Sequence, residues 1–230
     1  MILGIDTSNS PLAIALVKDD TVLIEETQNL KINHSLTAMP AIEELMKKAK
    51  IAPGDLTQIV VAEGPGSYTG VRIGLTIAKT LAWSLKIPLV SVSSLKVLAA
   101  NGQDFDGLVC PVMDARRGTV FTALYDGQHL KTVISDQHSD FKTFLKQVRM
   151  QERPVLFTGV DLEIHRSLIE ETLGELAHFA PFPNRLPRAS KLIALAGGEN
   201  VKEVHHTVPE YRRITEAEAN LTKTEKGKNQ

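Results

Sequence analysis

At 230 residues the chain has room for one large or two small domains. Its 43% hydrophobic and 23% charged residues are those of a globular protein, and a net charge of −1 excludes bulk attraction to nucleic acid or anionic membrane; a nucleic-acid role needs a local patch or a partner that does the binding. No apolar run is long enough for a membrane span, and the start, MILGIDTSNS, lacks the basic and apolar segments of a signal peptide, so a cytoplasmic protein is expected.

Met1–Asp6, Leu12–Val17 and Thr21–Glu26 read as three strands in an antiparallel meander, separated by turns at Asn9-Ser10-Pro11 and Asp19-Asp20. Asp6-Thr7-Ser8 closes the first strand. A carboxylate and two hydroxyls there suit a Mg²⁺-phosphate, or an Asx turn that satisfies its own backbone. Ser35 is a candidate N-cap for a helix with the stripe Leu36, Met39, Ile42, Leu45, Met46 and Ala49. Pro40 would kink its first turns or move its start later. His34 has no second metal-ligand type at useful spacing, which favours a surface or capping role.

Ile59–Val92 then reads strand, glycine turn, helix, strand: a βαβ crossover and hence a parallel pair. The helix carries Val71, Leu75, Ala78, Leu81, Ala82 and Leu85 at helical spacing and ends before Pro88. Gly64-Pro65-Gly66 is either an anion cradle at the helix start or a tight turn allowing close packing; its spacing matches no nucleotide fingerprint. The order β-β-β-α-β-α-β is the signature of the actin-like (sugar kinase/Hsp70) ATPase fold, an α/β superfold in which two such domains flank a nucleotide cleft.

A short helix at Leu95–Ala100 leads to a linker, and the second half repeats the plan in shortened form. Strands are expected at Leu108–Met113, Thr119–Tyr125, Thr132–Ile134 and Val155–Phe157, with helices at Phe141–Val148, Glu163–Leu173 and, capped by Ser190, Lys191–Glu203. The division is residues 1–103, 104–214, and a polar tail over 215–230 expected to fray. The lone Cys110 excludes an intrachain disulfide and reads as a buried, inert thiol. Arg116 and Arg117, in a hairpin with Asp114, are either a phosphate-binding pair or a solvated turn. Arg185, Arg188 and Lys191 form a second basic cluster at a helix start.

Four stretches together resemble the bacterial TsaB (YeaZ) family: MILGIDTS, VAEGPGSYTGVRIGLTIAKTLAWSLKIPLVSVSSL, MDARRGTVFTALYD and PEYRR. The resemblance implies a non-catalytic partner and activator of TsaD, the related enzyme that completes N6-threonylcarbamoyladenosine (t6A) at position 37 of ANN-decoding tRNAs with the ATPase TsaE. It implies no catalytic or metal residue here. TsaD-like enzymes bind a metal through an H-x-x-x-H motif, whose positions align with Ser94 and Leu98. Their late glycine-rich adenosine motif is not recognisable, and Ala196–Asn200 reads as helix termination. No cofactor is assigned, with weak residual nucleotide binding left as the alternative; Asp6, Thr7, Gly64 and Gly66 are the candidates for a degenerate nucleotide loop.

By the same resemblance the partner contact uses the helices near Ser35–Lys48 and Thr69–Ser84, with Leu36, Met39, Ile42, Met46, Val71, Leu75 and Ala78 as interface residues. The same surface serves a homodimer when TsaD is absent, and tRNA is met indirectly through the complex. The competing reading is a small actin-like ATPase/kinase, or a peptidase acting alone. No Ser–His–Asp or metal-histidine pattern supports it, and the adjacent His205-His206 do not share a helix face.

Overall fold

In the computed structural model, residues 1–30, 33–201 and 207–208 are described. The pair His205-His206, the PEYRR stretch and the tail from 215 lie outside them. The first half forms β1 (Ile2–Asp6), β2 (Leu12–Lys18), β3 (Thr21–Gln28), α1 (His34–Ala49), β4 (Gln58–Ala62), α2 (Tyr68–Leu85), β5 (Leu89–Val92) and α3 (Ser94–Ala99). The second forms β6 (Leu108–Asp114), β7 (Thr119–Asp126), β8 (Thr132–Asp140), α4 (Phe141–Arg149), β9 (Val155–Thr158), α5 (Leu162–Leu173), β10 (Ala177–Phe179) and α6 (Ala189–Ala196).

The sheets run β3-β2-β1-β4-β5 and β10-β9-β6-β7-β8. Read from opposite ends, these are one topology used twice: an antiparallel meander whose first strand pairs in parallel with the next two-strand unit. This is the expected actin-like plan. The shortening lies in the helices and the last strand. The helix before the fourth strand has 16 residues in the first half and 9 in the second, and the helix after it 18 and 12.

Strand alternation assigns each sheet two buried faces. Leu3, Ile5, Leu12, Ile14 and Leu16 pack under α1 and α2. Ala13, Ala15 and Val17 face the other way, against Ala189, Leu192 and Ile193 of α6. In the second sheet Leu108, Cys110 and Val112 meet α4 and α5. Val109, Phe121 and Ala123 meet Leu95 and Leu98 of α3. Each half therefore lends its last helix to the other half's sheet: α6 falls within residues 104–214 but packs on the first sheet, and α3 on the second.

Several expectations are corrected. Asn33, not Ser35, caps α1: its side chain accepts the Ser35 N–H at 3.1 Å. Pro40 lies inside α1 on its exposed face and does not delay the start. β8 is nine residues long rather than a short strand, because its Phe121-facing and Thr122-facing residues continue the ladder to Asp140. β10, three residues long, carries too little pattern to read. The final helix has no side-chain cap and stops at Ala196 rather than Glu203, with Gly197 as its C-cap. Among the described residues no helix is long and apolar enough to cross a membrane.

Candidate functional site

The turns that follow β1 and β4 meet at the start of α2. Asp6, Thr7 and Ser8 are all buried. Asp6 Oδ1 accepts the Ser8 N–H at 2.8 Å and the Ser8 hydroxyl at 2.7 Å. Thr7 Oγ1 donates to the Gly70 carbonyl at 2.7 Å. This is the Asx-turn alternative, with one polar atom left over: Asp6 Oδ2 is buried without a hydrogen-bond partner. Burial pushes the Asp6 carboxyl above its ordinary value, against the pull of Ser8 and of nearby His34. His34 opens α1, and its Nε2 lies 2.8 Å from the Asn9 carbonyl. A carbonyl only accepts, so Nε2 is the protonated nitrogen and the ring ties α1 to the β1–β2 turn.

Gly64 has φ of +102°, which favours glycine, and its N–H and carbonyl are held by Ser94 Oγ and the Ser94 N–H at 3.0 and 2.9 Å. A Cβ on Gly66 would lie 2.1 Å from the Ser8 carbonyl oxygen. The Ser67 N–H donates to that same carbonyl at 2.7 Å, and Ser67 Oγ accepts the Gly70 N–H at 3.3 Å to cap α2. The side-chain space at Gly66 is taken by the backbone of the β1–β2 turn. Asp6, Thr7, Gly64 and Gly66 are thus brought together in one close-packed junction at the start of α2. An open cavity of about 360 Å³ lies beside it, lined by Asn9, Ser10, Asn33, His34, Ser67, Thr69, Gly70 and Ile73.

Ser94 and Leu98, at the positions aligned with metal-binding histidines, are both buried structural residues: Ser94 holds Gly64, and Leu98 packs in the core under the second sheet. Among the described residues no group of three or more His, Cys, Asp or Glu side chains converges as a metal site would require. Cys110 is buried with its sulfur 3.4 Å from Thr122 Oγ1, and burial raises its thiol to about 12, the inert state expected.

In the second half Asp114 ends β6 as Asp6 ends β1. Its Oδ1 lies 3.1 Å from His165 Nε2, its Oδ2 accepts the Arg116 N–H at 3.1 Å, and its own N–H donates to Asp161 Oδ2 at 3.1 Å. The His165 contact is not visible in sequence, because α5 and β6 are far apart in the chain; the repeated aspartate at a first-strand end is the signal that could have found it. Arg116 and Arg117 are exposed at the hairpin tip. Arg185, Arg188 and Lys191 do not converge on an anion: Arg185 binds Glu163 and the Ala180 carbonyl, Arg188 binds Glu25, and Lys191 binds the Ala100 carbonyl. A second interaction that sequence reasoning missed joins the halves, with Asp136 on β8 accepting from Ser93 at the start of α3 and from Tyr125.

The expected interface row divides sharply. Leu36 (71% exposed) and Met39 (46%) face outward. Ile42, Met46, Val71, Leu75 and Ala78 are buried against the first sheet, so they are corrected to core residues. One helical stripe points to one neighbour, and here that neighbour is the chain's own sheet. The outer faces instead add Tyr68 (49%) and Trp83 (65%) on α2.

A family model described as tRNA N6-adenosine threonylcarbamoyltransferase, TsaD, matches residues 22–222. The Bacillus subtilis (strain 168) protein named tRNA threonylcarbamoyladenosine biosynthesis protein TsaB is 49% identical, with 98% of this chain and 99% of that protein covered. Two solved structures from Pseudomonas aeruginosa share the fold. One, described as an uncharacterized protein with similarity to peptidase YEAZ, has a TM-score of 0.75 at 22% identity and covers 92% of this chain and 99% of that one. The other, YeaZ, has a TM-score of 0.70 at 21% identity and covers 91% and 98%.

Proposed function

We propose, because this chain belongs to the TsaB family of tRNA threonylcarbamoyladenosine biosynthesis proteins, that it is the non-catalytic partner and activator of TsaD in forming t6A at position 37 of ANN-decoding tRNAs. The chain takes part in t6A biosynthesis; its role there is to bind TsaD. The observation that carries this reading is a set of exposed large side chains, Leu36 and Met39 on α1 and Tyr68 and Trp83 on α2, standing among polar residues on helices whose inner stripes are already covered by the first sheet. Supporting it, the positions of the metal motif hold Ser94 and Leu98 in structural roles. Coupling to TsaE and tRNA follows from the complex: activation requires that this chain bind one state of TsaD better than another.

The test is reconstituted t6A formation with TsaD, TsaE and the enzyme that makes the threonylcarbamoyl-AMP intermediate. Leu36→Arg with Met39→Glu leaves the core untouched and is expected to weaken TsaD binding by about 30-fold or more, the effect of losing an interface anchor of about 2 kcal/mol. Activity should be lost in proportion. Leu75→Arg is the contrasting variant: it places a charge in the core and should unfold the chain rather than dissect the interface. Full t6A formation without the chain, or wild-type TsaD affinity in the Leu36/Met39 variant, would overturn the reading.

A further inference from the structure

We propose that Arg116, Arg117, Lys142 and Lys146 form a contact surface for the phosphodiester backbone of RNA. The choice of RNA rests on the t6A reading above; the surface itself rests on the following geometry.

The β6–β7 hairpin tip sits against the start of α4. Thr119 pairs with Asp140 across β7 and β8, and the Phe141 N–H donates to the Gly118 carbonyl at 3.1 Å. From that junction α4 buries Phe141, Phe144, Leu145 and Val148 and turns Lys142, Thr143, Lys146, Gln147 and Arg149 to solvent. Lys142, Lys146 and Arg149 follow the i, i+4, i+7 spacing of one helix face. No acidic residue lies within α4. In a chain whose net charge is −1, five cations over the tip and this helix face are a local segregation of charge.

Two carboxylates lie close by, and Asp140 also feels the charges of Lys142 and Lys146. Asp140 caps α4, accepting the Thr143 N–H and hydroxyl at 2.8 Å each. Asp114 holds the Arg116 N–H and His165. Arg149 donates to the Thr172 carbonyl, which marks the end of the surface.

Backbone conformation adds a second observation. Arg116, Arg117 and Gly118 have φ of +68°, +54° and +74°. The left-handed region costs an ordinary residue about 1–2 kcal/mol, and asparagine or glycine would occupy the first two positions more cheaply. A tip built from two arginines in this conformation presents charge where the fold alone favours small turn residues.

Polyanion, rather than a protein face, is the occupant that fits. A protein interface centres on buried aromatic or aliphatic anchors and is depleted in lysine. Among residues 115–119 and 140–149 no large hydrophobic side chain is exposed; Met150, 79% exposed at the C-cap of α4, stands beyond the proposed surface. Lys142 and Lys146 lie about 6 Å apart along the helix at 1.5 Å per residue, a spacing that suits the closely spaced charges of a nucleic-acid backbone.

The experiment titrates an unmodified transcript of an ANN-decoding tRNA into the full-length chain across a salt series. The variant carries Arg116→Asn, Arg117→Gly, Lys142→Gln and Lys146→Gln. Its turn residues suit the left-handed conformation, so thermal stability should be retained or raised. The expected result is at least about tenfold weaker binding at about 0.1 M salt, with the log–log salt slope reduced by about 1 for each phosphate no longer neutralised. Lys47→Gln with Lys48→Gln, on α1, should leave binding unchanged. A folded variant with wild-type affinity and slope, or a wild-type chain without salt-dependent binding, would overturn the proposal. Affinity for TsaD is measured on the same proteins. Retained TsaD binding with weakened tRNA binding is the result expected, whereas abolished TsaD binding with unchanged tRNA affinity would replace RNA by a protein carboxylate surface. Failure of the wild-type chain to bind TsaD would sink the partner reading and leave the tRNA titration interpretable.

Discussion

Asp6 is a residue whose two oxygens live differently. Oδ1 takes two hydrogen bonds from Ser8, while Oδ2 is buried with none. An acid whose folded value lies above its ordinary 3.8 still carries its proton where the unfolded chain has released it. Stability therefore falls as pH rises from the ordinary value through the raised one, and is recovered as pH is lowered back across that window. Asp6→Asn removes the charge and keeps an acceptor for Ser8. It is expected to be more stable than wild type at pH 7 and to lose this pH dependence; chemical denaturation at a series of pH values measures both. A variant less stable at pH 7 would show that the carboxylate, charged, has a partner the fold depends on. Gly66 makes the complementary point: it was legible as a break in the chain, but the carbonyl of Ser8 that fills its missing side-chain space comes from a turn about sixty residues away in sequence, and no local pattern contains that.

At the scale of elements, periodicity identified most of the strands and helices, because burial on a sheet imposes its own spacing, but it missed β10 and misjudged the lengths of β8 and α6. Leu89–Val92 and Phe141 onward stand where alternation and helical spacing put them. The same signal misassigned five interface residues, since a stripe records that a face is covered and not what covers it. The exposed Leu36, Met39 and Trp83 could be separated from the buried stripes only by building the sheet. Interactions between distant elements were equally invisible. Glu25 on β3 accepts from Arg188 at 3.0 Å and from Ser190 N–H and hydroxyl at 2.9 and 2.8 Å, at the start of α6. Burial would raise this carboxyl; the hydrogen bonds from Arg188 and Ser190 outweigh it and hold it below its ordinary 4.5. Its contribution to stability is then fully present above that value and is lost as pH falls through the depressed one. Glu25→Gln is expected to lower the melting temperature at pH 7 and to match wild type at a pH below the folded value. An equal loss at both pH values would assign the effect to packing instead.

The exchange of α3 and α6 interlocks the cores of the two halves. Leu192 and Ile193 close the first sheet from the far end of the chain, and Leu95 and Leu98 close the second from its middle. Neither half keeps a complete core alone, and the Ser93–Asp136–Tyr125 hydrogen bonds add a polar tie between them. On the proposed reading, an activator that favours one state of its partner is helped by such rigidity, because the proposed docking face on α1 and α2 would then be fixed relative to the proposed basic surface on α4. Phe144 lies in the second half, buried among α4, α5 and β6, outside the cores of the first sheet. Phe144→Ala should cost about 3–5 kcal/mol by opening a cavity there. If the swapped helices bind the halves into one cooperative unit, native-state hydrogen exchange will show the most protected amides of β1 and β4 losing as much protection as those of β6 and β7. Loss confined to the second sheet, with β1 and β4 at wild-type protection, would mean that α3 and α6 detach independently and that the two surfaces are not held in fixed relation.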